Sequence, residues 1–290
     1  MGPTYCDNQR PPVPVASVPL SSPQPLGSEL IVSKGYPVEE HTVVTTDGYI
    51  LRIQRIPRGR NEPVVLDANY SKPVVLVMHA LAVTSADFVI NFPEQSLGFI
   101  LADAGYDVWL GNLRGNEYTS HLTYKKTDPM FWRFSFDEMI MYDTPTMIDA
   151  VLARTNNTRL LYIGFSQGTQ VLFGLLAQQP EYNEKTRLAV YAAHSPSGTS
   201  MDNIYHFAQE VPPSYVLCNV KVPVALYHSA ADVYAVPEDV ARLEWELPNL
   251  VRSYRVPDKH FTHYDFALGM HAADMVYMDM LELMDQYRGS

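Results

Sequence analysis

The stretch that most constrains the fold runs from Leu160 to Gln178. An apolar run from Leu160 to Phe165 is typical of a buried strand, a G-x-S-x-G turn around Ser166 follows it, and Gln167 to Gln178 has helical character. Strand, sharp turn and helix in this order predict a nucleophile elbow, in which a tight turn lifts the serine oxygen above the sheet edge. The competing interpretation is a serine that caps an ordinary helix, and the flanking strand and helix favour the elbow.

Strand-like and helix-like segments alternate along most of the chain. Two strands around Thr46-Asp47-Gly48 read as a hairpin, and the apolar run from Pro73 to Met78 is expected for a strand covered on both faces. This alternation predicts an α/β fold with a mostly parallel central sheet and helices on both faces. The predicted strands are His41–Thr45, Tyr49–Ile56, Pro73–Met78, Tyr106–Leu110, Leu160–Phe165, Leu188–Ala193, Val222–Tyr227 and Val251–Val256. The predicted helices are Pro93–Ala104, Thr144–Arg154, Gln167–Gln178, Pro237–Leu247 and Ala272–Tyr287.

Composition narrows the class of partner and the domain plan. A formal net charge of -11 argues against nucleic acid as a partner, since phosphate backbones attract basic surfaces. Cys6 and Cys218 are too few and too far apart for a disulfide framework or a metal pattern. No apolar run reaches the length of a transmembrane helix, and the N-terminus lacks the pattern of a secretory signal. We therefore expect a flexible Pro/Ser-rich extension over residues 1–27, then a single domain over 28–290. Sequons for glycosylation begin at Asn69 and Asn156.

Candidate partners for Ser166 follow it in the chain. A serine hydroxyl becomes a useful nucleophile only when a base removes its proton and a carboxylate orients that base. In an α/β hydrolase the acid and then the histidine follow the serine, each at the carboxyl end of a later strand. Asp232 lies just past the strand that ends at Tyr227, and His260 and His263 both lie past the strand that ends at Val256. Either histidine could reach the serine.

Acyl transfer also needs backbone N–H groups that stabilise an oxyanion. One such donor is the residue after the nucleophile, here Gln167, and the other comes from the loop after the third strand, where Leu81 is the candidate. Together these residues predict acyl transfer through a serine ester, without a cofactor or metal.

The sequence resembles the acid lipase family, which includes gastric and lysosomal acid lipases. The resemblance covers most of residues 35–285. It is carried by Gly35-Tyr36-Pro37-Val38-Glu39-Glu40, Thr46-Asp47-Gly48-Tyr49-Ile50-Leu51, Leu101 to Asn112, Arg114-Gly115-Asn116 and Phe134 to Met139. It implies an α/β-hydrolase fold and a secreted or lysosomal enzyme that cleaves triglycerides or cholesteryl esters, with transient contact to lipid surfaces.

The resemblance also assigns roles to the candidate residues. Ser166 would be the nucleophile, Asp232 the acid and His263 the base, with oxyanion donors at Leu81 and Gln167. His263 is preferred to His260 because Thr262-His263-Tyr264-Asp265-Phe266 matches the family's x-H-x-D-F pattern.

Three departures separate this chain from the family pattern. Ala80 stands where the family has glycine, and its methyl group is expected to restrict the oxyanion loop. Phe165 replaces the histidine that usually precedes the nucleophile. Nearly the whole cap between the elbow helix and the His194-Ser195-Pro196 segment is missing, so residues 181–215 would be a remnant of its junction. Leu188 to Ala193 would then take the place of a lost strand.

Two functional alternatives follow from these departures. A chain without a cap but with its triad intact is expected to prefer short or soluble esters and to show no activation at an oil–water interface, because less apolar wall remains to hold long acyl chains. A non-enzymatic protein, poorly folded or reduced to a lipid-binding surface, is the alternative.

Overall fold

The described part of the chain comprises residues 27–64, 71–192 and 215–288 of a computed structural model. The extension before residue 27, the sequon at Asn69 and the stretch 193–214 of the expected cap junction lie outside these residues, so their predictions stay predictions. Within the described ranges, no helix combines the length and the apolar character that crossing a bilayer requires.

A mixed sheet runs through the molecule. Its strands in chain order are β1 (Glu39–Val44), β2 (Tyr49–Ile56), β3 (Val74–Met78), β4 (Asp107–Gly111), β5 (Thr119–His121), β6 (Leu160–Phe165), β7 (Thr186–Ala192), β8 (Val224–His228) and β9 (Leu250–Arg255). Across the sheet the order is β1-β2-β4-β3-β6-β7-β8-β9, and β5 pairs with β2. The hairpin β1–β2 and the pair β2–β4 are antiparallel, whereas β4, β3, β6, β7, β8 and β9 run parallel. The predicted fold class is thereby confirmed.

Helices precede, connect and follow the strands along the chain. They are α1 (Gly27–Ser33), α2 (Leu97–Asp103), α3 (Phe136–Glu138), α4 (Thr144–Thr155), α5 (Gln167–Gln178), α6 (Pro237–Glu246), α7 (Asp265–Leu268) and α8 (Met278–Asp285). A π-helical turn, Met139–Asp143, joins α3 to α4, and another, Ala273–Tyr277, leads into α8.

Helices cover both faces of the sheet, and each face has its own apolar cluster. Along β3, Val75 and Val77 belong to one cluster, while Leu76 and Met78 belong to the other. This alternation is the period of two that a strand imposes on its side chains. A strand with both faces covered reads as a continuous apolar run, as the sequence of β3 does.

The structure differs from the predictions at several element ends. The helix expected from Pro93 begins at Leu97, with Ser96 at its N-cap, because the residues before it form a turn. The closing helix expected over Ala272–Tyr287 starts as the π-helical turn Ala273–Tyr277 and ends at Asp285.

The strand predicted over Leu188–Ala193 is present in the sheet. β7 begins at Thr186, two residues earlier than predicted, and pairs in parallel with β6 on one side and β8 on the other. The sheet is therefore continuous from the elbow strand to β9.

Candidate active site

The turn at Ser166 has the geometry of an elbow. Ser166 adopts φ 50° and ψ −112°, between the last residue of β6 and the first residue of α5. A positive φ is strained for a residue with a side chain, and such strain persists only where the surroundings enforce it. The side chain of Ser166 makes no capping hydrogen bond to α5, which removes the interpretation of an ordinary helix cap.

Both glycines of the G-x-S-x-G turn are required by close packing. A Cβ atom on Gly164 would lie 2.6 Å from the backbone nitrogen of Thr169, and one on Gly168 would lie 2.4 Å from the carbonyl oxygen of Met78. The hydroxyl of Thr169 donates to the carbonyl of Gly164 at 2.8 Å, and the hydroxyl of Tyr162 donates to the carbonyl of Gly168 at 2.7 Å. The turn is thus held against both β6 and the end of β3.

Asp232 and His263 meet although they lie on different loops. Asp232 follows β8 and His263 follows β9, and the Oδ2 atom of Asp232 is hydrogen-bonded to Nδ1 of His263. The other carboxylate oxygen accepts the backbone N–H groups of Tyr234 at 2.9 Å and Ala235 at 2.8 Å. Both side chains are buried, so the pair is held in a single arrangement.

His260 is not part of this arrangement. It is exposed, and its backbone N–H donates to Oδ1 of Asp258 at 2.9 Å, within a turn that precedes His263. The two histidines that sequence reasoning left open are therefore separated by the structure.

Aromatic rings connect His263 to the elbow. The centroid of its imidazole lies 6.2 Å from the ring of Phe165, the residue directly before Ser166, and 4.9 Å from the ring of Tyr234. Because β6, β8 and β9 are parallel members of one sheet, their carboxyl ends bring Ser166, Asp232 and His263 to the same edge. Phe165 therefore contributes a packing surface where the family has a histidine.

Burial and pairing set the charges of Asp232 and His263. Burial alone would raise the pKa of Asp232, but hydrogen bonds from His263 and from the N–H groups of Ala235 and Tyr234 outweigh it and lower that pKa. Burial lowers the pKa of His263, and the nearby Asp232 carboxylate offsets this only in part. Near neutral pH the carboxylate is ionised and the imidazole is neutral, which is the state of a general base.

The loop after β3 lies beside the start of α5. Gly168 approaches the carbonyl oxygens of both Met78 and His79, so the start of this loop is close to the first turn of the helix. Gln167 is the first residue of α5, where N–H groups lack partners within the helix. The positive end of the helix therefore faces the serine.

The methyl group of Ala80 does not force an unusual backbone. Among the described residues other than glycine, only Ala82, Asn156 and Ser166 have a positive φ, so Ala80 does not use the conformational freedom of glycine. The left-handed conformation lies two residues later, at Ala82, with φ 59°. Ala80 itself is fully buried in the apolar cluster.

A buried polar network behind this loop was missed by sequence reasoning. Nδ1 of His79 donates to the carbonyl of Ala80 at 2.7 Å, and its Nε2 accepts the backbone N–H of Leu113 at 3.0 Å. Farther along the loop, the backbone N–H of Ser85 donates to Oδ1 of Asn112 at 3.1 Å, and Asn112 also accepts from Asn116 at 3.0 Å. The signal was present, since both asparagines follow an apolar strand whose end lies at the same sheet edge.

The neutral state of His79 is built into this network. Burial lowers the pKa of His79 to about 4, although its hydrogen bond to the carbonyl of Ala80 raises it slightly. Nε2 can accept the N–H of Leu113 only when it carries no proton. Within the described ranges, no group of three or more histidine, cysteine or acidic side chains is placed to hold a metal ion.

Comparison with known proteins agrees with this fold. The model described as "Partial alpha/beta-hydrolase lipase region" matches residues 27–92, and the model described as "alpha/beta hydrolase fold" matches residues 73–185. Among solved structures, an esterase from Pyrococcus furiosus superposes with a TM-score of 0.60 at 15% identity, over 89% of this chain and 96% of that chain. A putative aryl esterase from Burkholderia cenocepacia gives a TM-score of 0.59 at 16% identity, over 86% of this chain and 99% of that one. The protein is an α/β hydrolase.

Sequence relatives define the family more narrowly. Gastric triacylglycerol lipase of Bos taurus is 32% identical over 365 positions, covering 89% of this chain and 90% of the relative. Lipase member K of Homo sapiens is 31% identical over 366 positions, covering 90% of each. The chain belongs to the acid lipase family, whose members are ester hydrolases. These alignments are longer than the 290 residues of the chain, so the relatives contain internal segments that it lacks.

Proposed function

We propose that this protein hydrolyses lipid esters through a serine acyl-enzyme, with Ser166 as nucleophile, His263 as base and Asp232 as the acid that orients the base. The buried hydrogen bond between Asp232 and Nδ1 of His263 carries this proposal. The ring of His263 lies 6.2 Å from the ring of Phe165, the residue directly before Ser166. Nδ1 is held by the carboxylate, so Nε2 on the opposite side of the ring is the atom assigned to proton transfer.

The chemistry runs in two acyl transfers. In the first, Oγ of Ser166 attacks the ester carbonyl while Nε2 of His263 takes its proton, and the backbone N–H groups of Leu81 and Gln167 stabilise the oxyanion. Collapse of this intermediate breaks the bond to the alcohol, which leaves with the proton from His263. Water then attacks the acyl-enzyme with the same base, and the carboxylic acid is released.

The substrate is proposed from the relatives. A lipase named for triacylglycerols at 32% identity makes triglyceride the first candidate, and cholesteryl esters follow from the family resemblance. Because the cap is reduced, we expect short or soluble esters to be hydrolysed faster than long-chain ones, and no activation at an oil–water interface.

Location and modification belong to the same proposal. Gastric lipases among the relatives suggest a secreted or lysosomal protein. Asn156 is exposed at the end of α4 and would be accessible to glycosylation in that compartment.

A chromogenic short-chain ester tests the catalytic proposal. Ser166→Ala is expected to abolish hydrolysis above background, because no nucleophile remains, whereas Ser33→Ala on the exposed face of α1 is expected to keep the full rate. Equal rates for the wild type and Ser166→Ala would remove Ser166 from the mechanism.

Exposed apolar surface supports the non-enzymatic alternative. Val233 and Tyr234, directly after Asp232, are 72% and 58% exposed, so apolar surface lies bare beside the site. Labelling of Ser166 by a fluorophosphonate, together with sharp thermal unfolding of a monomer, would argue against this alternative. A folded protein that adsorbs to lipid emulsions but resists the label would support it.

A further inference from the structure

Three cations lie at the amino ends of three neighbouring strands, opposite the candidate active site. Arg159 directly precedes β6, Arg187 is the second residue of β7, and Lys221 lies three residues before β8. Since these strands are adjacent and parallel, their starts share one edge of the sheet. Together with Thr186 and Tyr287, which follows α8, they line a cleft of about 440 Å³.

The lining of this cleft holds more cationic than acidic side chains. Within the described ranges none of the three cations forms an ion pair, although the chain as a whole carries a net charge of -11. The nearby acidic group in the lining is Glu184, which is exposed. Burial, and then the positive charge of Arg159, lower the pKa of Arg187, so the two guanidinium groups disfavour each other's charge.

Part of Arg187 has a structural role. Its Nη1 donates to the carbonyl oxygens of Arg288 at 2.7 Å and Tyr287 at 3.4 Å, just beyond the end of α8. A cation near the last carbonyls of a helix is favourable. This accounts for one of the guanidinium nitrogens and leaves the others to be explained.

Two buried donors in the cleft lack acceptors among the described residues. They are Nε of Arg187 and the hydroxyl of Thr186, whose residue is only 3% exposed. Buried polar atoms of folded proteins are hydrogen-bonded in the great majority of cases. Both atoms are closed off from solvent, so the exposed side chains of Arg159 and Lys221 are what a ligand in the cleft would meet, and their charge favours a ligand with negatively charged oxygen acceptors.

We propose that this cleft is a binding site for a phosphate group. Guanidinium and ammonium groups together offer donors in several directions, which suits a tetrahedral anion with several acceptor oxygens. At about 3.3 Å per residue, the six residues of β6 place the cleft roughly 20 Å from Ser166. The site is separate from the catalytic edge and does not depend on the proposed hydrolysis.

The phosphate could be a soluble anion or the headgroup of a phospholipid, because Arg159 and Lys221 are both exposed at the cleft. Thermal unfolding is measured while sodium phosphate is titrated against sodium chloride at equal ionic strength. Flotation with phosphatidylcholine vesicles, with and without phosphatidic acid, tests the headgroup. The variants are Arg159→Gln with Lys221→Gln, and Thr186→Val, and the control is Arg242→Gln, an exposed arginine paired with Glu246 on α6.

Phosphate is expected to raise the Tm of the wild type in a saturable way, as binding to the folded state requires. The double variant is expected to weaken that binding about tenfold or more, since charge-assisted hydrogen bonds are lost, while Arg242→Gln keeps it. Flotation that needs phosphatidic acid and fails in the double variant would identify a headgroup, and an effect of inorganic phosphate alone would identify a soluble anion. The proposal is overturned if phosphate stabilises no more than chloride and flotation does not require phosphatidic acid, or if the wild type and the double variant respond equally in both assays. Hydrolysis of a short-chain ester should be unchanged in the double variant.

Discussion

The two edges of the sheet treat charged side chains in opposite ways. At the carboxyl edge, buried Asp232 is ionised and each of its oxygens is satisfied, by Nδ1 of His263 and by two backbone N–H groups. At the amino edge, Arg159 and Lys221 are exposed, and neither they nor Arg187 have a carboxylate partner within the described ranges. The first arrangement suits the proposed proton transfer, and the second suits the proposed binding of an anion.

The largest expected effect comes from breaking the balance at the carboxyl edge. Asp232→Asn should lower kcat for a short-chain ester roughly 10⁴-fold, because an amide no longer favours the imidazolium or holds the correct tautomer of His263. Asp239→Asn, in the exposed first turn of α6, is the matched control and should keep the wild-type rate. Stabilisation by phosphate should persist in both variants. A small drop in kcat for Asp232→Asn would mean that the carboxylate of Asp232 contributes less to hydrolysis than its hydrogen bonds indicate.

Acidification should lower the free energy of unfolding through the buried His79 at the carboxyl edge. The pKa of His79 is about 4 in the folded protein and about 6.5 when the chain is unfolded, so the unfolded state binds more protons between these values. The free energy of unfolding should therefore fall as the pH drops from 7 to 4, and His79 should account for about 3 kcal/mol of that fall.

Denaturant unfolding at several pH values checks this expectation. His79→Asn should unfold more easily at pH 7 but lose less stability on acidification than the wild type does. His260→Asn, which removes an exposed histidine, is the control. Parallel curves for His79→Asn and the wild type would contradict a buried neutral imidazole.

The smallest expected effect concerns Tyr234, the exposed ring beside the Asp232–His263 pair. Tyr234 is 58% exposed, yet its ring lies 4.9 Å from the imidazole of His263. Burial lowers the pKa of His263, so Tyr234→Ala should let water closer and raise that pKa, moving the acid limb of kcat/KM to higher pH. Tyr234→Phe keeps the ring and should keep the profile. An unshifted limb in Tyr234→Ala would show that other groups supply the desolvation.

Local patterns predicted the parts of the molecule that depend on local rules. The strand–turn–helix around Ser166 could be identified because the turn requires two glycines, and the structure places both against backbone atoms. The hairpin, the buried strands and the start of α6 at Pro237 follow from similarly short-range rules. The order of Asp232 and His263 after the serine was sufficient to place them on successive strand ends.

What could not be predicted depends on which strands become neighbours. Arg159, Arg187 and Lys221 are far apart in the chain and come together only because β6, β7 and β8 are adjacent and in parallel register. In the network of His79, Asn112 and Ser85, the position of Asn112 after an apolar strand could be read from the sequence, but not which loop it would contact. The helix predicted from Pro93 begins only at Leu97, because the residues before it form a turn.

The direct insertion of β7 between β6 and β8 has a consequence for how this lineage can change. The ladder of backbone hydrogen bonds from β6 through β7 to β8 is formed by residues up to Ala192 and from Val224 onward. A longer or shorter segment after Ala192 is therefore expected to leave these strand pairings in place. Grafting at that point is a way to change what lies next to Ser166 without rebuilding the sheet.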